Sequence, residues 1–168
     1  MGRLDHVHIR VPDRDEAARW YSQHLGFEPV ERFDFWANGF DGGPLQISAD
    51  GGRTTLALFE ASEGHPMLPQ RTGVAFSVDA TSFIDFARSL PCGIDGPTGR
   101  PLVVTDLVDF DLCWAFDLVD PWGNLYELNC YDYDEVRDRL VDAEGIDVER
   151  YWPRSLHDAY VEHGRDGR

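Results

Sequence analysis

Residues 4–27 read LDHVHIRVPDRDEAARWYSQHLGF, and the fold is read outward from this stretch. From Leu4 to Val11 polar and apolar side chains alternate. Val7, Ile9 and Val11 share one face and His6, His8 and Arg10 the other, the period-two signature of a half-buried strand. Asp13, with Glu16 three residues on, predicts a capped helix start. Ala17, Trp20, Tyr21 and His24 follow at helical spacing, and Gly26 predicts the stop. A strand therefore leads into an amphipathic helix.

The same grammar returns near residue 72. Val74, Phe76 and Val78 form an apolar face, with Gly73, Ala75 and Ser77 opposite. Asp79 and Thr81 open a helix whose stripe is Phe83, Phe86, Ala87 and Leu90, ending at Pro91 and Gly93. Each copy then continues into a hairpin. The first runs from Leu45–Ala49 through a turn at Asp50–Arg53 into Thr54–Glu60. The second runs from Cys113–Val119 through a turn at Asp120–Asn124 into Leu125–Cys130. Duplication of a βαβββ unit accounts for both copies and predicts an α+β fold. Module one spans residues 1–65, module two 70–131, and Gly64 to Gln70 is the linker. Residues 134–168 form a C-terminal helix, from Asp134 to about Val141, and a tail through Tyr151, Trp152 and Pro153. That tail has two readings, packing on its own domain or across a partner subunit.

Parity also orders the second hairpin. Trp114, Phe116 and Leu118 take the helix side, so Ala115 and Asp117 face the other way. Glu127 and Asn129 oppose Leu128 and Cys130, which places Glu127 near Asp117. Adjacent carboxylates repel unless one keeps its proton or a cation joins them.

The segment Asp5–Val11, with a helix ending at His24-Leu25-Gly26-Phe27, resembles the opening of a vicinal-oxygen-chelate module, as in glyoxalases, bleomycin-resistance proteins and extradiol dioxygenases. Residues Asp117–Leu128, with Asp120-Pro121-Trp122-Gly123-Asn124, resemble the family's closing hairpin. The resemblance covers residues 4 to about 131. It implies two modules forming a curved mixed sheet around a cavity, helices outside, and a divalent metal (Fe, Mn, Ni or Zn) acting as a Lewis acid on a substrate oxygen.

Carried over by position, the resemblance puts His6 and Glu127 at metal-ligand positions. It puts Ala57 where module one would have a carboxylate and Gly73 where module two would have a His. Neither side chain can coordinate, so the ligand set is incomplete. His8 is a second ligand or a general base, and Glu127 is the other catalytic candidate. Arg10 and Asp117 are candidates for binding substrate, Arg10 through a bidentate grip on a carboxylate. Against these stand structural alternatives: a half-exposed polar strand face for the histidines, and a Glu127–Arg10 ion pair. His65, His157 and His163 read as exposed, and Trp36 and Phe40 as core or as the wall of an apolar pocket.

The charge is −16 over 168 residues, and every one of the 15 basic residues is Arg. A dispersed acidic surface disfavours nucleic acid and anionic membrane as partners. One explanation is adaptation to a salt-rich, halophilic cytoplasm, where screening relieves self-repulsion; the alternative is a GC-rich genome that writes Arg instead of Lys. Cys92, Cys113 and Cys130 lack CxxC spacing and read as buried reduced thiols. With no long apolar run and no apolar h-region at the N-terminus, a cytoplasmic protein is expected. Three functions compete: a glyoxalase/dioxygenase-type enzyme acting on a small oxygen-rich substrate, a metal-free small-molecule binder, and a structural or regulatory dimer whose cavity is vestigial. The enzyme and the binder are also expected to form homodimers.

Overall fold

A computed structural model describes residues 3–39, 41–71, 73–155 and 158. The chain divides into two compact units between Gln70 and Arg71, at the end of the Pro-containing linker.

In the first unit β1 (His6–Val11) leads into α1 (Arg14–Leu25). Asp13 caps the helix by accepting from the backbone N–H groups of Asp15 and Glu16. Gly26 ends it at φ 68°, a left-handed position that needs glycine. The Gly26 and Phe27 amides close back onto Ser22 and Tyr21 in a Schellman turn. Next come β2 (Glu28–Pro29), the short α2 (Asp34–Asn38), β3 (Leu45–Ser48) and β4 (Thr55–Glu60). The sheet order is β1-β4-β3-β2, with β1 and β4 parallel. Its apolar face carries Ile9, Val11, Ile47, Leu56 and Leu58, all buried, and α1 packs on β3 and β4 through Ala17, Ala18 and Tyr21. Each large side chain so buried contributes about 2 kcal/mol, so packing outweighs a helix cap of about 1 kcal/mol in holding α1.

The second unit repeats the plan. β5 (Val74–Ser77) leads into α3 (Ala80–Ser89), capped by Asp79, and then into β6 (Val108–Asp109), β7 (Trp114–Val119) and β8 (Leu125–Cys130). The order β5-β8-β7-β6 reproduces that of the first sheet, again with its first and last strands parallel. Phe83, Ile84, Phe116 and Tyr126 are fully buried here. The α+β class and the two βαβββ modules thus stand, each module making its own mixed sheet.

The tail returns to the second unit. After α4 (Tyr133–Val136) and a π-type stretch over Arg137–Asp142, β9 (Glu149–Arg150) pairs in parallel with β6 as a fifth strand. Arg150 forms an ion pair with Asp111, and the Tyr151 amide donates to the Asp109 carbonyl at 2.9 Å. Beneath this strap the Tyr133 hydroxyl shares its proton between both Asp109 oxygens at 2.9 Å, and its ring stacks on Trp114. Burial, then the Asp109 carboxylate, push that hydroxyl's pKa up.

All three cysteines are free; Cys113 and Cys130 are buried, whereas Cys92, expected inside, is half-buried. Among the described residues no helix is long and apolar enough to cross a membrane.

Candidate functional site

On β1 the predicted parity holds. Ile9 and Val11 are buried and Val7 is half-buried, while His6 and His8 are exposed and Arg10 is half-buried on the opposite face. The two imidazoles stack, with centroids 4.9 Å apart and Nε2 to Nε2 at 3.0 Å. Asp5 accepts from His6 Nδ1 at 2.8 Å. That contact puts a proton on His6 Nδ1 and leaves the two facing Nε2 atoms to share one further proton between them. Partial desolvation, then electrostatic interaction with His6 and with Arg10, lower the pKa of His8. The His6 hydrogen bond holds the Asp5 carboxyl below its ordinary value. Sequence reasoning did not single out Asp5, because i to i+1 contacts across a strand edge leave no mark in the polarity pattern.

Arg10 lays its guanidinium 5.8 Å from the Phe59 ring centroid, and among the described residues of its own unit it has no ion-pair partner. Its row in the sheet is Arg10–Phe59; the next rows are His8–Ala57–Gln46 and His6–Thr55. Ala57, Gln46 and Thr55 are buried, and the Thr55 hydroxyl donates to Gln46 Oε1. Ala57 therefore sits between His8 and Gln46 as a gap in a polar row.

In the second unit Asp117 on β7 lies directly opposite Glu127 on β8. Glu127 is half-buried and Asp117 more open. Desolvation of the Asp117 carboxyl on its protein side, then the Glu127 charge, raise its pKa. The Asn129 side chain, two residues along β8, donates from Nδ2 to Glu127 Oε1 at 2.6 Å. Sequence parity put Asn129 on this face but gave it no role. Small residues flank the pair, since Ala75 on β5 is the other neighbour of Glu127 and Ala115 on β7 is that of Asn129.

By sheet register Ala57 matches Glu127, and His8 matches Ala75, which makes Gly73 the counterpart of His6. Gly73 adopts φ 73°, a conformation in which a His would be strained. Among the described residues no three His, Cys, Asp or Glu side chains gather as a metal cluster. What each unit does offer is a donor pair: two imidazole nitrogens in the first and two carboxylates in the second. Opposed carboxylates fit a cation, because a positive ion relieves their repulsion.

Of the other candidates, His65 is exposed. Trp36 is half-buried and stacks on Phe33 with centroids 4.7 Å apart. Phe40, His157 and His163 lie outside the described residues.

Several solved structures share this fold. The oxidase ChaP-H1 is 23% identical with a TM-score of 0.58, over 79% of this chain and 98% of that one. A glyoxalase/bleomycin resistance protein/dioxygenase superfamily member from Sphaerobacter thermophilus is 20% identical with a TM-score of 0.57, over 77% and 98%. The fosfomycin resistance protein FosX of Listeria monocytogenes, solved with Mn(II) and sulfate, is 14% identical with a TM-score of 0.53, over 83% and 98%. At such identities the likeness speaks to the fold alone. A comparison with curated protein sequences gave no match. The family model described as Glyoxalase/Bleomycin resistance protein/Dioxygenase superfamily matches residues 3–89, just over half of the sequence, and the chain belongs to that superfamily.

Proposed function

We propose that this protein is a glyoxalase/dioxygenase-type enzyme that acts on a small oxygen-rich substrate with a divalent metal, His6 of the first unit and Glu127 of the second each being a candidate ligand within its own unit. The observation that carries the reading is the in-register pair Asp117–Glu127, two carboxylates held side by side with an amide bound to one of them. A resident ion would supply Lewis acidity toward a carbonyl, enediolate or diol oxygen. Mn(II) is a fitting ion for a carboxylate- and imidazole-containing set, and FosX, of the same fold, was solved with it.

The chain's own residues take the remaining roles. Asp5 orients the His6 ring by holding Nδ1–H, as outer-sphere carboxylates do. His8, whose pKa is lowered first by partial burial, can accept a substrate proton as general base. Arg10 presents a planar fork of donors to a substrate carboxylate or other anionic oxygen. Asp117 accepts from a substrate hydroxyl or fills an open ligand position. A homodimer in a salt-rich cytoplasm completes the proposal.

The test is metal content after dialysis, with folding of each variant checked by circular dichroism. Wild-type protein should retain stoichiometric metal, and His6→Ala and Glu127→Gln should each lose it. If neither substitution changes the metal content, the metal reading is wrong.

A second reading is favoured by Ala57 and Gly73, neither of which can supply a donor: a metal-free binder of a small molecule, like the bleomycin-resistance members. It requires unchanged ligand-induced Trp fluorescence shifts after exhaustive chelation.

A further inference from the structure

Asn129 is 7% exposed, in a strand interior where burying an amide is costly unless both its ends are paired. Only one end is paired. Nδ2 donates to Glu127 Oε1, while Oδ1 is buried without a hydrogen-bond partner among the described residues. Flipping the amide would set oxygen against carboxylate oxygen at 2.6 Å, so Glu127 dictates the orientation. The flanking in-register residues are Ser77 on β5 and Ala115 on β7. Val or Ile would suit such a position on a strand better. The amide therefore serves the carboxylate at the expense of the local fold.

We propose that Asn129 is a positioning residue for Glu127: it ties down one carboxylate oxygen, fixes the side chain's rotamer beside Asp117, and leaves the other oxygen to meet a cation. This inference rests on the metal reading of Glu127. It assigns a division of labour within one strand, Glu127 touching the ion and Asn129 acting only through Glu127.

The experiment is titration of chelator-stripped protein with Mn(II), free Mn(II) being followed by electron paramagnetic resonance, together with thermal melts of the metal-free forms. Four proteins are compared: wild type, Asn129→Val, Glu127→Gln and the double variant. Asn129→Val should bind Mn(II) at least about ten-fold more weakly, the usual cost of losing an outer-sphere partner, yet melt no lower than wild type. In the Glu127→Gln background the same change should cost nothing more, because its target is gone. Equal Mn(II) affinity of wild type and Asn129→Val overturns the inference and leaves the metal reading intact. So does a further loss in the double variant, or a lower melting temperature for metal-free Asn129→Val, either of which makes Asn129 a residue of the fold. Failure of the wild type to bind Mn(II) removes the metal reading and the inference with it. Should Asn129→Val not fold, Asn129→Ser removes the amide without adding bulk and is judged by the same outcomes.

Discussion

Gly73 occupies the sheet position equivalent to His6, yet its backbone lies at φ 73°. A side chain there pays the left-handed penalty, so Gly73→His should lower stability by about 1–2 kcal/mol, read from the urea midpoint. An unchanged midpoint would mean that the turn before β5 tolerates a side chain and that the missing ligand has another cause. Residue parity was legible throughout β1 and β8, because a strand turns successive side chains to opposite faces and allows no other choice. That is why His6, His8 and Arg10 could be grouped, and why Glu127 could be set against Asp117. Rotamers carry no such periodicity. The Nε2–Nε2 contact of the histidines, the Asp5 hydrogen bond and the Asn129–Glu127 bond all depend on them. Asn129 alone left a trace, standing two residues from Glu127 on the same face.

Among elements, α1 and α3 each begin where an Asp offers its carboxylate to free amides. Asp13→Ala should cost about 1 kcal/mol in chemical denaturation. For α3 the cap is also a pH sensor. The Ser82 backbone N–H, then the Ser82 side chain, hold the Asp79 carboxyl below its ordinary value. A depressed folded-state pKa stabilises fully above the unfolded value of about 3.9, and the effect fades as pH falls through the folded one. Melting temperatures of wild type and Asp79→Ala should therefore differ at pH 7 and converge toward pH 2–3; a gap that persists in acid would argue against the cap. Helices and long strands were legible because caps and periods mark them. β2, β6 and β9 have two residues each, too few for any period, and exist because a neighbouring strand offers its edge. For β9 that offer includes Asp111, which pairs with Arg150. Arg150→Ala should speed hydrogen exchange at the Tyr151 amide selectively, leaving exchange in β7 and β8 unchanged.

For the whole molecule the governing quantity is the charge of −16, carried with 15 arginines and no lysine. At low ionic strength these charges repel across the surface, and salt near 1 M cuts the screening length to about 3 Å. Thermal melts should shift upward between dilute buffer and about 1 M NaCl; a flat or falling melting temperature would leave the acid excess without a role in stability. The duplication belongs to this scale too, and it was legible because two sequence stretches obey one grammar. How the tail would be used was open, since Tyr151 and Trp152 are compatible with either a partner or the chain's own surface.

The outer strand of the second sheet comes from a part of the chain about forty residues beyond the strand it joins. A growing polypeptide can finish its first sheet, all of whose strands precede Gln70, well before the second receives its border. During that interval the Val108–Asp109 backbone offers unpaired amides and carbonyls to any passing strand, and a product truncated ahead of Glu149 would keep offering them. The strap thus reaches its edge late, and a product that lacks it should aggregate more readily than the full sequence.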